Sequence, residues 1–242
     1  MNISFLDMIE KHKIVLPSSK QEILIRPILV KEEKILLMAI EAKDEESVLL
    51  AIKQIINNCS INELDVDELP LTDLEYLFLQ LRARSIGENV ELKYQCNNIV
   101  GENEERCGSL IKLEFNVLEI EPTFDENHQK KIQLTPNLGV MMRYPDLKII
   151  EKVKGLNESE VIMKTLINCI DYIYDNENVY YTKDVPEKEV EEFVDSLTKE
   201  QFEKIQQFFE TLPKLIKNVN FKCNKCNYEE EIVLEGIQSF FV

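Results

Sequence analysis

The first 87 residues combine one strand pattern with three helical patterns. Residues 22–30 (EILIRPILV) are mainly apolar and predict a strand, with Pro27 at a sheet edge because proline has no amide donor. The composition of 31–42 favours a helix. In 46–60 and 71–87 apolar residues recur at spacings of three and four, so both segments predict amphipathic helices. The predicted buried positions are Val48, Ile52, Ile55, Ile56 and Cys59 in the first, and Leu74, Leu77, Phe78 and Leu81 in the second.

The hydrophobic period changes to two residues after Gly87. Residues 89–96 alternate apolar and polar side chains, and alternation resumes in 107–120 after the polar loop 97–106. This pattern predicts a β-hairpin with Cys96 and Cys107 at the two ends of its loop. Near the other end of the chain, two further alternating segments, 218–223 and 227–236, flank Cys223 and Cys226.

The middle of the chain returns to helical periodicity. Residues 132–145 predict two short strands, and 186–197 and 198–213 predict two helices. Residues 159–174 (SEVIMKTLINCIDYIY) also predict a helix. Its expected apolar face comprises Ile162, Leu166, Cys169, Ile170 and Ile173. Cys59 and Cys169 are therefore expected in the core rather than at a site.

Composition narrows the classes of partner. Lysine and arginine number 28 against 45 aspartates and glutamates, a net charge of −17, which repels phosphate backbones and makes nucleic acid an unfavourable main partner. A basic or polar protein surface fits this charge better. No run of about 18 apolar residues predicts a membrane span. The N-terminus is too polar for a signal peptide, so an intracellular location is expected, where neighbouring cysteines favour metal or redox chemistry.

The cysteines supply the strongest candidate chemistry. The order strand, cysteine, turn, cysteine, strand occurs twice, which is how a zinc ribbon presents four thiolates to one tetrahedral Zn²⁺. The predicted ligands are Cys96, Cys107, Cys223 and Cys226. Because four thiolates leave no open coordination position, the single zinc ion would be structural. The two pairs are far apart in the chain, so the site would join its middle to its end.

Other interpretations of these cysteines remain open. A thiol redox protein would place its CxxC pair at the start of a helix, whereas here a strand follows Cys226. The thiols could also be unliganded. A zinc ribbon that binds nucleic acid would need a basic face, but the adjoining segments read ENEER and YEEEI.

No catalytic constellation is evident, and the protein is not expected to be an enzyme. The chain contains no glycine-rich phosphate loop, HExxH or GxSxG motif. Of the two histidines, His12 is expected at the surface and His128 in solvent within a polar loop. Phe240 and Phe241 near the C-terminus either pack on the domain or act as apolar anchors for a partner.

Several motifs together resemble a known family. These are PSSKQEILIRPILVKEEKILLMA, LPLTDLEYLFLQLRARSIG, GVMMRYP and SLTKEQFEKIQQFFETLPKL, followed by CxxC and GIQSFF. In this order they are similar to T4-type bacteriophage baseplate proteins, which are hub components or hub-assembly factors of contractile tails. The resemblance implies binding to other baseplate or hub proteins, in the host cytoplasm during assembly and in the virion baseplate if the protein stays there. It carries no catalytic residues and specifies no oligomeric state.

The expected fold class is α+β, mostly helical, with a split zinc-ribbon-like β unit built around four cysteines and a helical insertion. Residues 1–87 would form an N-terminal strand plus helical region. Residues 88–120 and 217–242 would form the split β unit, and 121–216 the β-loop and helical insertion between its halves.

Overall fold

A computed structural model describes residues 9–42, 45–101 and 105–236. Within these ranges there are seven α-helices and thirteen β-strands. The helices are α1 (Val30–Ala42), α2 (Glu45–Cys59), α3 (Leu71–Ile86), α4 (Leu147–Lys152), α5 (Glu158–Asn168), α6 (Glu187–Asp195) and α7 (Lys199–Glu210). The strands are β1 (His12–Val15), β2 (Glu22–Ile25), β3 (Asn89–Gln95), β4 (Ile99–Val100), β5 (Glu105–Arg106), β6 (Leu110–Asn116), β7 (Pro122–Thr123), β8 (Lys131–Thr135), β9 (Leu138–Met142), β10 (Ile170–Asp175), β11 (Val179–Tyr181), β12 (Lys214–Lys222) and β13 (Glu229–Glu235).

The strands form small antiparallel sheets, and the chain divides into two compact units. The first unit comprises the described parts of Met1–Val66, Thr72–Thr123 and Lys214–Val242, and the second comprises Asp67–Leu71 and Phe124–Pro213. The α+β class is confirmed. Helices do not dominate the chain, however, since strands contribute comparably. The three-part division proposed from the sequence stays a prediction.

The first unit contains two hairpins with long, regular ladders. Strand β3 pairs with β6 from Asn89↔Asn116 to Gln95↔Leu110, and β12 pairs with β13 from Ile216↔Glu235 to Lys222↔Glu229. Each hairpin has one apolar face because its side chains alternate. These faces share one core with α3, and the core includes Leu79, Ala83, Val90, Leu92, Cys96, Cys107, Leu113, Phe115, Leu215, Phe221 and Cys223.

The predicted strand at 22–30 is shorter in the structure. Strand β2 ends at Ile25, and α1 begins at Val30. Pro27 cannot donate a ladder hydrogen bond, and Arg26 turns inward to a buried ion pair with Glu32 of α1 (Nη2–Oε1, 3.0 Å). Arg26 also donates to the carbonyl of Asn58 at the end of α2 (2.8 Å), so one guanidinium joins β2, α1 and α2.

The second unit packs helices against one face of a four-stranded sheet of order β11-β10-β9-β8. Its core contains Leu134, Val140, Met142, Ile149, Leu166, Ile170, Val190, Val194, Ile205 and Phe208. The predicted helices over 186–197 and 198–213 are confirmed as α6 and α7. Thr198 and Gln201 begin α7 with a reciprocal capping box, which satisfies two backbone donors that lie outside the helical ladder.

The predicted helix over 159–174 is wrong in its second half. Helix α5 ends at Asn168, Cys169 caps it, and β10 begins at Ile170. Ile170 and Ile173 contact the same core as the helix, which is why their spacing imitates a helical face. Ile162, expected on that face, is 54% exposed.

No described helix has both the length and the apolar character needed to cross a membrane.

Candidate metal centre

The first hairpin brings Cys96 and Cys107 together in spite of the ten residues between them. Cys96 follows β3 directly, and its N–H donates to the carbonyl of Ser109 (2.9 Å), which extends the β3–β6 ladder by one step. The intervening residues form a second, smaller hairpin in which β4 pairs with β5. The N–H of Cys107 donates to the carbonyl of Asn98 (2.8 Å). The small hairpin therefore places Cys107 close to Cys96.

The second hairpin holds Cys223 and Cys226 in a tight turn. The N–H of Cys223 donates to the carbonyl of Tyr228 (2.8 Å), and the N–H of Asn227 donates to the carbonyl of Cys223 (2.9 Å). Asn227 adopts φ +57°, a left-handed conformation that asparagine tolerates better than most residues. The turn therefore directs both thiols to the same side.

The four sulfur atoms form one compact cluster. All lie within 4.8 Å of one another. Two contacts of 3.7 Å, Cys96–Cys226 and Cys107–Cys223, join one hairpin to the other. A tetrahedral Zn²⁺ with Zn–S bonds of about 2.3 Å would separate its sulfurs by about 3.8 Å. The cluster thus has the size and donor set that a thiophilic metal ion requires.

Backbone donors surround the cluster. The N–H of Asn98 donates to Cys96 and that of Ser109 to Cys107. Cys223 accepts from the N–H groups of Lys225 and Cys226, and Cys226 accepts from that of Tyr228. A hydrogen bond to sulfur favours the thiolate, the form that binds metal. Each of the four thiols is therefore oriented by its own turn as a ligand would be.

The thiols differ in acidity between the two hairpins. The N–H of Cys226 is the main cause that lowers the pKa of Cys223 to about 6, and the N–H of Tyr228 lowers the pKa of Cys226. Burial raises the pKa of Cys96 to about 12. The N–H of Ser109 favours the Cys107 thiolate, but burial and the sulfurs of Cys226 and Cys223 raise its pKa. Four thiolates this close repel one another, and a divalent cation would remove that repulsion.

Two side chains connect the hairpins beside the sulfurs. Asn98 Nδ2 donates to Cys226 Sγ (3.6 Å), and Lys225 Nζ donates to the carbonyl of Cys107 (3.0 Å). Each contact runs from one hairpin to the other. Side chains of this kind orient metal ligands in proteins.

The other two cysteines lie apart from the cluster, in the cores where the sequence places them. Cys59 and Cys169 are fully buried. Burial raises the pKa of Cys59 to about 11 and that of Cys169 to about 12, so both thiols are held neutral. The partner-binding candidates Phe240 and Phe241 lie outside the described residues.

His128 is not the solvated side chain that the sequence predicts. Its ring stacks on Tyr144 and contacts Phe208, at centroid distances of 5.5 and 5.0 Å. Its Nδ1 lies 2.9 Å from Thr211 Oγ1, within hydrogen-bond distance, and that hydroxyl also lies 2.9 Å from the carbonyl oxygen of Gln207. Its Nε2 is buried without a hydrogen-bond partner in the described part of the chain. The polar sequence 121–131 gives no signal for this packing.

The fold and the site define an α+β protein in which two hairpins share one core and bring four cysteines together. A family model described as T4 bacteriophage base plate protein matches residues 8–242, and the chain belongs to this family. The resemblance found in the sequence is therefore confirmed. Over 191 residues the chain is 26% identical to the baseplate hub assembly protein gp26 of Enterobacteria phage T4, covering 78% of this chain and 79% of that protein. No solved structure matches the chain.

Proposed function

We propose that this protein acts in the baseplate hub of a contractile phage tail, as an assembly factor or a subunit, by binding other baseplate proteins. The family match over residues 8–242 is the observation that carries this proposal. The curated relative is named a baseplate hub assembly protein, which favours the assembly role. The protein would act in the host cytoplasm during tail construction, and a permanent subunit would remain in the virion.

A structural Zn²⁺ held by Cys96, Cys107, Cys223 and Cys226 is part of this proposal. Support comes from the four convergent sulfurs and from the backbone donors at each of them. The ion would fasten the two hairpin turns to each other, adding its binding energy to that of the apolar core they share. The two hairpins of the first unit would then keep a fixed arrangement before a partner arrives.

The hub role is tested by quantitative mass spectrometry of purified mature particles and of tail-assembly intermediates from the encoding phage. An assembly factor is expected in intermediates and absent from mature particles, whereas a subunit is expected in both at a fixed copy number. Absence from both would contradict the hub role.

The geometry of the metal site is tested separately with Co²⁺. Cobalt bound by four thiolates gives strong sulfur-to-metal charge-transfer absorption and the visible bands of a tetrahedral ion. We expect both in the wild-type protein and neither in Cys223→Ser. A spectrum of octahedral cobalt, or one that Cys223→Ser leaves unchanged, would contradict the site.

A further inference from the structure

The sheet of the second unit has one face that its core does not use. Val140, Met142, Ile170 and Ile173 point to the helices and belong to the core or pack against it. The register places the alternate residues on the opposite face. These are Lys131, Gln133, Gly139, Met141, Tyr172, Tyr174, Val179 and Tyr181, which we call the tyrosine face.

The tyrosine face is an ordered aromatic surface. Tyr172 contacts Tyr174 and Tyr181 edge-on, at centroid distances of 6.3 and 5.4 Å. Tyr174 lies against Gly139, where any added Cβ would come within 2.6 Å of the carbonyl oxygen of Ile132. Glycine at this position lets the ring lie flat on the sheet. Tyr181 remains 45% exposed and Val179 51% exposed.

The paired positions of the tyrosine face contain no carboxylate, although the net charge of the chain is −17. Besides Asp175, the acidic residue of β10 is Asp171, which lies in the bulge between Ile170 and Tyr172. The nearby Asp175 is engaged by the backbone N–H groups of Glu177 and Asn178 in the turn between β10 and β11. The paired positions of the tyrosine face therefore contribute Lys131 and no acidic side chain.

Two lysines flank the tyrosine face at opposite edges of the sheet. Lys131 Nζ lies 4.8 Å from the ring centroid of Tyr174, and Lys183 Nζ lies 5.4 Å from that of Tyr181. Within the described ranges neither lysine has a carboxylate at ion-pair distance, whereas Lys164, Lys188 and Lys199 of the same unit each have one. The two edge strands of this four-stranded sheet lie about 14 Å apart.

We propose that the tyrosine face is the docking surface for a protein partner whose contact surface is apolar at its centre and carries carboxylates on both sides. Tyrosine and methionine are enriched in the centres of protein interfaces, where acidic residues are depleted. Carboxylates of the partner would form ion pairs with Lys131 and Lys183, whose ammonium groups lie beside tyrosine rings and have no carboxylate at ion-pair distance within the described ranges. This inference rests on the proposed function, since the partner would be a component of the baseplate hub.

The test measures binding of the full-length protein to the purified hub subassembly of the encoding phage. Tyr172→Ala is expected to weaken binding roughly 30-fold, because a central aromatic anchor is removed, and Tyr172→Phe to stay near wild type. The double variant Lys131→Glu/Lys183→Glu is expected to weaken binding at least tenfold at low salt, with a smaller effect at high salt. Lys188→Glu, on α6, is the matched control and is expected to bind like wild type.

The outcomes separate the two proposals. Wild-type binding that none of the face variants changes would overturn the docking surface and leave the hub function standing. No wild-type binding would overturn both. Circular dichroism establishes whether each variant is folded. If Tyr172→Ala does not fold, the double variant Lys131→Glu/Lys183→Glu still tests the docking surface. Binding of a single-stranded DNA or RNA oligonucleotide that Tyr172→Ala abolishes would assign the face to nucleic acid instead and overturn the proposal.

Discussion

The sulfur of Cys107 lies 3.7 Å from that of Cys223, although the two residues are 116 positions apart in the chain. Bringing these thiols together closes a loop that contains Phe124–Pro213, the larger part of the second unit. Closing so long a loop costs conformational entropy, which the apolar core of the two hairpins must offset before a metal ion contributes. The site is therefore expected to form on an already folded scaffold, unlike a small zinc finger that is unfolded without its ion.

Asn98 is expected to set the affinity of the site for zinc, because its side chain donates to Cys226 from the opposite hairpin. Asn98→Ala should weaken zinc binding about tenfold without removing a ligand. Asn97→Ala is the neighbouring control, since the Asn97 side chain donates to Tyr94 Oη instead (3.4 Å). Competition with a chromophoric chelator measures both variants, and equal zinc affinities for the two would contradict the role of Asn98.

The buried ion pair between Arg26 and Glu32 is expected to be indispensable to the first unit. Arg26→Met would leave the fully buried carboxylate of Glu32 with only Lys31 Nζ (3.4 Å) and the N–H of Leu29 (3.0 Å), at a cost of about 3 kcal/mol in the free energy of unfolding. The exposed pair Lys13–Glu22 is the control, and Lys13→Met should cost less than about 1 kcal/mol. Urea titrations followed by circular dichroism give both values. Similar losses of unfolding free energy in the two variants would contradict a larger contribution from the buried Arg26–Glu32 pair.

His128 is expected to make the second unit less stable in mild acid. Burial and the charge of Lys130 lower its pKa in the folded state, while Asp125 opposes this shift. The unfolded chain therefore binds a proton more readily, so stability is lost as the pH falls below about 6.5. The loss at pH 5.5 from this group is at most about 1.4 kcal/mol.

Replacing the histidine isolates this contribution. His128→Phe keeps an aromatic ring beside Tyr144 and Phe208 but cannot be protonated, so the stability difference between pH 7.5 and pH 5.5 should shrink. Urea unfolding at the two pH values measures it. An unchanged difference in His128→Phe would contradict the buried, neutral state of the ring.

A single period governs strands β3, β6, β8, β9, β12 and β13 and helices α2, α3, α6 and α7, which is why these elements could be predicted. The sequence predicts no strand for β1, β4, β5, β7 and β11, because such short strands are too brief to show a period. The alternation of Val90, Leu92 and Tyr94 marks β3, and the capping residues of α7 mark where it begins. The prediction failed where two periods meet in one apolar run. Ile170 and Ile173 continue the spacing of α5, yet the alternation of Tyr172 and Tyr174 belongs to a strand.

The ligand set could be proposed from the sequence, but the way the site is assembled could not. Nothing in the ten residues between Cys96 and Cys107 indicates that β4 and β5 close a small hairpin. The contacts of Asn98 and Lys225 depend on how the two hairpins meet, which is a tertiary property. The same holds for Arg26 and His128, whose partners lie far away in the chain.

The zinc content of the purified protein tests the central claim most directly. Elemental analysis by mass spectrometry should find one zinc ion per chain after mild chelator washing. Cys223→Ser should lose the metal and stability together, whereas Cys169→Ala should keep the metal even if it is less stable. A wild-type protein without zinc, or zinc content that Cys223→Ser leaves unchanged, would contradict the four-cysteine site.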